Sequence, residues 1–218
     1  MDFNLSSEQT QLRDGLNKFL TTRYDLENSR TAAKTGAGWQ PDIWRAFADE
    51  LGILGAALPE SAGGMGGGPV EIMVIAEELG RALVIEPFVD TVVVAGGLLA
   101  RAGGPAAEAV LEQIAAGSSI VAVSLDPLCT NAVRDGENWL LTGSPAVVMN
   151  VPIATHLLIA ARTGDGVGLF LAEFSPADPP AGVRMHGYRT VDDRRAADLV
   201  LDGLRLPAGA LIAADAAA

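Results

Sequence analysis

Trp139-Leu140-Leu141-Thr142-Gly143-Ser144-Pro145-Ala146-Val147-Val148-Met149-Asn150 is the stretch on which the reading of this fold turns. Trp139-Leu140-Leu141 and Ala132-Val133 flank Asp135-Gly136-Glu137, which is a hairpin signal. Turn residues then separate this run from a second strand candidate, Val147–Met149. Working outward, Ile120-Val121-Ala122-Val123-Ser124-Leu125 upstream has strand character. Downstream, His156–Ala161, Val167–Glu173 and Ala197–Leu201 are further short strands. Strands at such short intervals predict an antiparallel β-barrel or sandwich.

The first half of the chain follows a different period. Ser6-Ser7-Glu8-Gln9 is a capping-box signal, with Leu12, Leu16, Phe19 and Leu20 following at helical spacing. A second helix starts near Pro41, carries Ile43, Trp44, Phe47 and Leu51 on one face, and ends at Gly52. The Gly63–Gly68 loop leads into a third helix, from about Val70 to Leu79. A fourth, Pro87 to Ala100, is apolar nearly all round, and a fifth runs from about Pro105 to Ala115. The expected class is therefore α+β: an N-terminal all-helical domain over residues 1–118, then a β-domain over residues 119–212. Ala-rich residues 213–218 read as the start of a further helix.

Composition narrows the function. At 218 residues and 49% hydrophobic the chain can bury a real core. Its net charge of −12 opposes binding to nucleic-acid phosphates and to an anionic membrane surface. The single cysteine, Cys129, excludes an internal disulfide framework and fits a reducing cytoplasm. Met1-Asp2-Phe3-Asn4 lacks the apolar run of a signal peptide. The most apolar stretch, Thr91–Ala100, is about half the ~20 residues that span a bilayer, and reads as a core helix.

Several segments, in order, resemble the acyl-CoA dehydrogenase family. They are Leu5–Gln9, Gly52–Gly55 with Leu58-Pro59-Glu60-Ser61-Ala62-Gly63-Gly64-Met65-Gly66, Ala76–Arg81, and Asp202–Pro207. The Val147–Asn150 stretch matches the family's Gly-Thr-Lys-x-Trp-Ile-Thr-Asn run, which lies against a flavin. The resemblance covers essentially the whole chain but only the first two of the family's three domains, so residues 213–218 would begin the third, helical one. It implies removal of hydrogens from Cα and Cβ of an acyl-CoA thioester, with a glutamate taking the α-proton and FAD accepting a hydride. That glutamate usually belongs to the third domain, so no catalytic residue is assigned here.

The same resemblance marks departures. Val147 stands for the family's tryptophan and Met149 for its threonine. Ser124-Leu125-Asp126-Pro127-Leu128-Cys129-Thr130 matches the Thr-Glu-Pro-x-x-Gly-Ser-Asp loop, with Leu125 for the threonine and the Gly-Ser-Asp part missing. The implied FAD contacts are thus Ser124, Leu125, Val147, Val148 and Met149, with backbone N–H groups at Leu125 and Val148 in place of lost hydroxyls. Arg189 and Arg194 are the implied contacts to CoA. FAD is then held here, lost, or shared with a partner chain.

Other residues read plainly. The Gly63–Gly68 loop lacks a following Lys-Ser/Thr and is a turn, not a phosphate cradle. Glu77 and Glu78 diverge by ~100° on a helix and read as a solvated face, with Glu78 spaced to pair with Arg81. His156 and His186 have no cysteine cluster, so no metal site is expected. Trp139 reads as a core or cross-strand residue.

Three functions compete. The first is the degenerate, non-catalytic subunit of a heteromeric acyl-CoA dehydrogenase acting on bulky, sterol-derived acyl-CoA. Arg81-Ala82-Leu83-Val84-Ile85-Glu86-Pro87-Phe88 resembles such divergent subunits. Its partner would be a homologous subunit, or a second copy of itself. The second is a self-sufficient flavoenzyme. The third is a non-enzymatic module that binds an acyl-CoA or a partner chain.

Overall fold

The computed structural model describes residues 4–35 and 38–214. Residues 1–3 and 215–218, on which part of the N-terminal and C-terminal readings rest, lie outside these. Among the described residues six α-helices precede the first strand: α1 (Ser7–Arg23), α2 (Leu26–Lys34), α3 (Pro41–Asp49), α4 (Pro69–Arg81), α5 (Gly96–Ala102) and α6 (Pro105–Ala115). The capping box is formed: Ser6 N–H donates to Gln9 Oε1 at 2.9 Å, and Gln9 N–H donates to the Ser6 hydroxyl at 3.2 Å.

Two helical readings change. α2 had no counterpart in the sequence reading. The fourth helix is π-wound over Val89–Ala95 before it becomes α5 at Gly96. Leu58 packs against Gly96 so closely that a Cβ there would meet its Cδ2 at 2.9 Å. Glu78 is also not solvated. It is 1% exposed, accepts a hydrogen bond from Asn17 at 2.8 Å, and lies 3.6 Å from Arg81. α1 packs on that side of α4, which is why the carboxylate is covered.

Nine strands follow among the described residues: β1 (Val121–Ser124), β2 (Thr130–Asp135), β3 (Asn138–Gly143), β4 (Val148–Met149), β5 (His156–Thr163), β6 (Gly166–Glu173), β7 (Val183–Arg189), β8 (Arg195–Pro207) and β9 (Leu211–Ala214). The β2–β3 hairpin closes with Asp135 opposite Asn138, around Gly136 at φ 61°.

The expected α+β class is borne out, while the antiparallel barrel or sandwich expected within it differs on two counts. The sheet is mixed: β1 runs parallel to β5, and β2 touches β5 in parallel at Asn131 and Arg162. The reason is local, since β1 and β2 are joined by a short turn and follow one side of β5 in the same direction. Nor is the sheet closed into a barrel. Its order is β4-β8-β3-β2-β5-β6-β9, with β1 and β7 as side branches. Ala213 and Ala214, read as entering a helix, lie in β9 and pair with β6.

Period-2 alternation explains the layering. Along β5, Leu158 and Ala160 face the helices, while Leu157, Ile159 and Ala161 face the other half of the sheet. Leu169 and Leu171 of β6 join the helical side, and Phe170 and Ala172 the other. β5 and β6 are thus a middle layer buried on both faces. Each large side chain buried there contributes about 1.5–3 kcal/mol, before entropy. Trp139 is 6% exposed and packs edge-on against Phe170 at 5.2 Å, so it is a core residue.

Candidate functional site

Where β1 and β4 run side by side the sheet is open. Their Cα atoms come within 8 Å, yet the strands do not pair. β4 bonds to β8, with Val148 opposite Ala197 and Met149 opposite Ala196. Asn150 N–H donates to Arg195 O at 2.8 Å, which makes 150/195 a hydrogen-bonded pair. Alternation then makes Val148/Ala197 another, so the Val148 N–H points into the ladder. Met149, between them, turns its N–H and C=O away from β8. The open edge therefore offers the backbone of Met149, where the sequence reading looked to Val148.

The side chains that this seam exposes are apolar. Leu125 is 48% exposed and Val147 58% exposed, while Val148 is buried and Ser124 is 8% exposed. Val147 sits at φ 55°, a costly conformation for a β-branched residue. A polar clamp holds it there. Asp198 Oδ1 accepts the Val147 N–H at 2.9 Å and the Tyr188 hydroxyl at 2.8 Å. These two bonds hold the Asp198 carboxyl below its ordinary range. The seam thus offers a flat partner two exposed apolar side chains and one strip of backbone. That donor set does not fit a flavin ring by itself, because its polar edge needs several donors and each unmade buried bond costs about 1–3 kcal/mol.

A cavity of about 560 Å³ lies on the helical side. Leu79, Leu83, Val84, Ile85 and Phe88 give it apolar walls, and Asp90 and Arg194 are among its polar lining. Asp90 Oδ2 accepts from Asn150 Nδ2 at 2.7 Å and from Arg194, tying the π-wound helix to both the end of β4 and the β7–β8 hairpin. The cavity and the seam therefore share Asp90 as a joint. Among the described residues four non-glycines have positive φ: Leu83, Val147, Asn150 and Asp193. All border the seam, the cavity or the hairpin between them. Strained backbone concentrates at functional sites.

The two candidate arginines separate. Arg194 lines the cavity and bonds to Asp90. Arg189 pairs with Asp193 at 3.2 Å within its own hairpin and is not among the cavity-lining residues. Glu86 was missed by the sequence reading. It lines the cavity at 6% exposure, and burial pushes its carboxyl up to about 7. A lone carboxylate inside the apolar run Leu83–Val89 was the available signal. His156 is buried, 3.0 Å from the Ser119 hydroxyl, and burial lowers its pKa. No group of three or more potential metal ligands occurs among the described residues, and no helix among them is long and apolar enough to cross a membrane.

Residues 6–125 match the family model described as acyl-CoA dehydrogenase, N-terminal domain. The chain is 29% identical over 220 residues to acyl-CoA dehydrogenase FadE27 of Mycobacterium tuberculosis, covering 95% of this chain and 56% of that protein. It superposes on the ChsE4-ChsE5 complex from Mycobacterium tuberculosis with a TM-score of 0.88 at 28% identity, covering 97% of this chain and 58% of that one. A variant of the Tcur3481-Tcur3483 steroid ACAD gives a TM-score of 0.81 at 32% identity, covering 94% and 58%. The chain spans just over half the length of these relatives.

Proposed function

The chain belongs to the acyl-CoA dehydrogenase family, and from that premise we propose that it acts as the non-catalytic subunit of a flavin-dependent, heteromeric acyl-CoA dehydrogenase. The assembly would introduce a double bond between Cα and Cβ of a bulky, sterol-derived acyl-CoA. The observation that carries the reading is the β1–β4 seam. At the places where the family presents hydroxyls and an aromatic wall, Leu125, Val147 and Met149 present apolar side chains and backbone. FAD in such an assembly belongs chiefly to the partner. Leu125, Val147 and Met149 are left as an apolar border to the flavin site, with Ser124 and Val148 buried behind them. Similarity to a steroid ACAD and to a two-component complex supports the substrate class and the heteromer.

Within this reading the chain's own residues bind and orient. The cavity takes the acyl group, its apolar wall excludes water, and Arg194 at the hairpin meets the CoA-bearing end. Arg189 stabilises the hairpin through Asp193.

The test is a visible absorption spectrum of the gently purified protein, alone and co-expressed with a homologous subunit. Flavin bands are expected only in the co-purifying complex. Flavin bands in the lone protein would overturn the non-catalytic role. Absence of both flavin and complex would overturn the dehydrogenase reading.

A further inference from the structure

The cavity holds a carboxyl group that a plain hydrocarbon chain does not need. α4 ends at Arg81, the chain turns at left-handed Leu83, and Pro87 stops any early return to helix. Glu86 is fixed by its surroundings: Ile85 N–H donates to the Tyr24 hydroxyl at 3.0 Å, and Phe88 N–H donates to Glu86 O at 2.8 Å. Glu86 Oε1 accepts the Gln40 N–H at 3.0 Å. Oε2 is buried and makes no hydrogen bond of regular geometry among the described residues, and the Tyr24 hydroxyl is the side-chain group that interacts with the carboxyl. Among the described residues no cation pairs with Glu86, and Arg194, which also lines the cavity, is bound to Asp90.

A buried acceptor without a partner costs about 1–3 kcal/mol. A residue such as leucine would line an acyl-chain cavity without that cost. We propose that Glu86 is a specificity-determining residue that hydrogen-bonds a neutral oxygen function, a ketone or a hydroxyl, carried by the acyl group away from its thioester. This rests on the acyl-CoA reading above and deepens it. A carboxylate on the substrate would be repelled by Asp90 and Asp192, which also line the cavity. An ammonium group would have to pass Arg194. A neutral carboxyl both donates and accepts, so it serves either oxygen function. The charged or titratable groups around it are Tyr24, which burial and the Glu86 charge push up to about 12, together with Asp90, Asp192 and Arg194.

The experiment is calorimetric titration of the full chain with two matched probes, 3-(4-oxocyclohexyl)propanoyl-CoA and 3-cyclohexylpropanoyl-CoA. At about pH 6 the wild type is expected to bind the oxo probe about tenfold more tightly, the size of one buried hydrogen bond. Glu86→Leu should abolish the preference, and Glu86→Gln should retain it, because the amide still donates. Towards about pH 8 the wild-type preference should shrink, as an ionised carboxylate cannot donate to a ketone, while that of Glu86→Gln stays level. Equal wild-type affinities would overturn the inference, leaving a trapped water as the partner of Oε2 and the acyl-CoA reading intact. A preference that survives in Glu86→Leu, or that does not change with pH, would also overturn it. Binding of neither probe would sink the acyl-CoA reading and the inference together. Glu86→Gln keeps volume and hydrogen bonding, so the test does not depend on whether the leucine variant folds.

Discussion

The seam and the cavity meet at Asp90 and are made of opposite materials. At the cavity the Asp90 carboxylate holds Arg194 and reaches out to the Asn150 amide, and a second carboxyl, Glu86, is buried in the lining. At the seam the side chains that reach outward are Leu125 and Val147, and polar contact falls to the backbone of Met149. Buried polar groups are expensive and persist where something uses them. On the function proposed above, the cavity is where this chain recognises the acyl group, and the seam is where it leaves the redox ring to a partner.

The cavity side can be broken most forcefully through pH. Glu86 has a folded value near 7 against an ordinary 4.5, so between those values the folded state holds a proton that the unfolded state has released. Stability therefore falls as pH rises from about 4.5 to about 7 and is level above, with a total loss on the order of 3 kcal/mol. Urea unfolding of wild type and Glu86→Gln at about pH 5 and pH 7.5 should show this slope in the wild type only. Parallel behaviour of the two proteins would mean that the carboxyl is solvated. Asp90→Ala comes next. It strands the Asn150 amide and Arg194, and is expected to cost about 1–2 kcal/mol, discounted because Arg194 is partly exposed. A Tm unchanged within error would mean that Asp90 does not join the two regions.

The seam side should respond in the other direction. Val147 is exposed, β-branched and at φ 55°. Val147→Asn puts there a residue that tolerates the left-handed region and keeps the backbone N–H bonded to Asp198. We expect a gain of about 1 kcal/mol, or roughly 2–4 °C in Tm for a chain of this size. A loss of stability would show that the exposed valine has packing value within this chain alone.

How much of this was legible follows from the range of the interactions. The capping box at Ser6, the hairpin at Gly136 and the helix over Pro105–Ala115 are local signals and were read from sequence. α2 was not, because only Ser29 and Ala33 of its nine residues are buried and no apolar stripe marks it. β7 escaped for a similar reason: it pairs only with β8 and is exposed along most of its length. The open seam depends on β1 and β4 meeting without pairing, and the choice of Met149 over Val148 depends on register with β8. Neither is written in any short window. Glu86 stood in plain view, but its burial comes from Tyr24 and Gln40, more than forty residues away.

The smallest effect expected is at Met149→Thr. The substitution restores a hydroxyl to the open edge of β4, at the position where the family carries threonine. If that hydroxyl were the missing element, the lone protein should turn yellow. One hydrogen bond is worth about 1 kcal/mol net, less than tenfold in affinity. Leu125 still presents an apolar side chain, the loop from Asp126 to Thr130 is still short, and Val147 still offers no aromatic face. Purified Met149→Thr should therefore show no flavin absorbance beyond that of the wild type after gel filtration. Stoichiometric flavin retained by this single variant would mean that the seam lacked only one donor, and that the proposed division of labour between cavity and seam is far shallower than argued above.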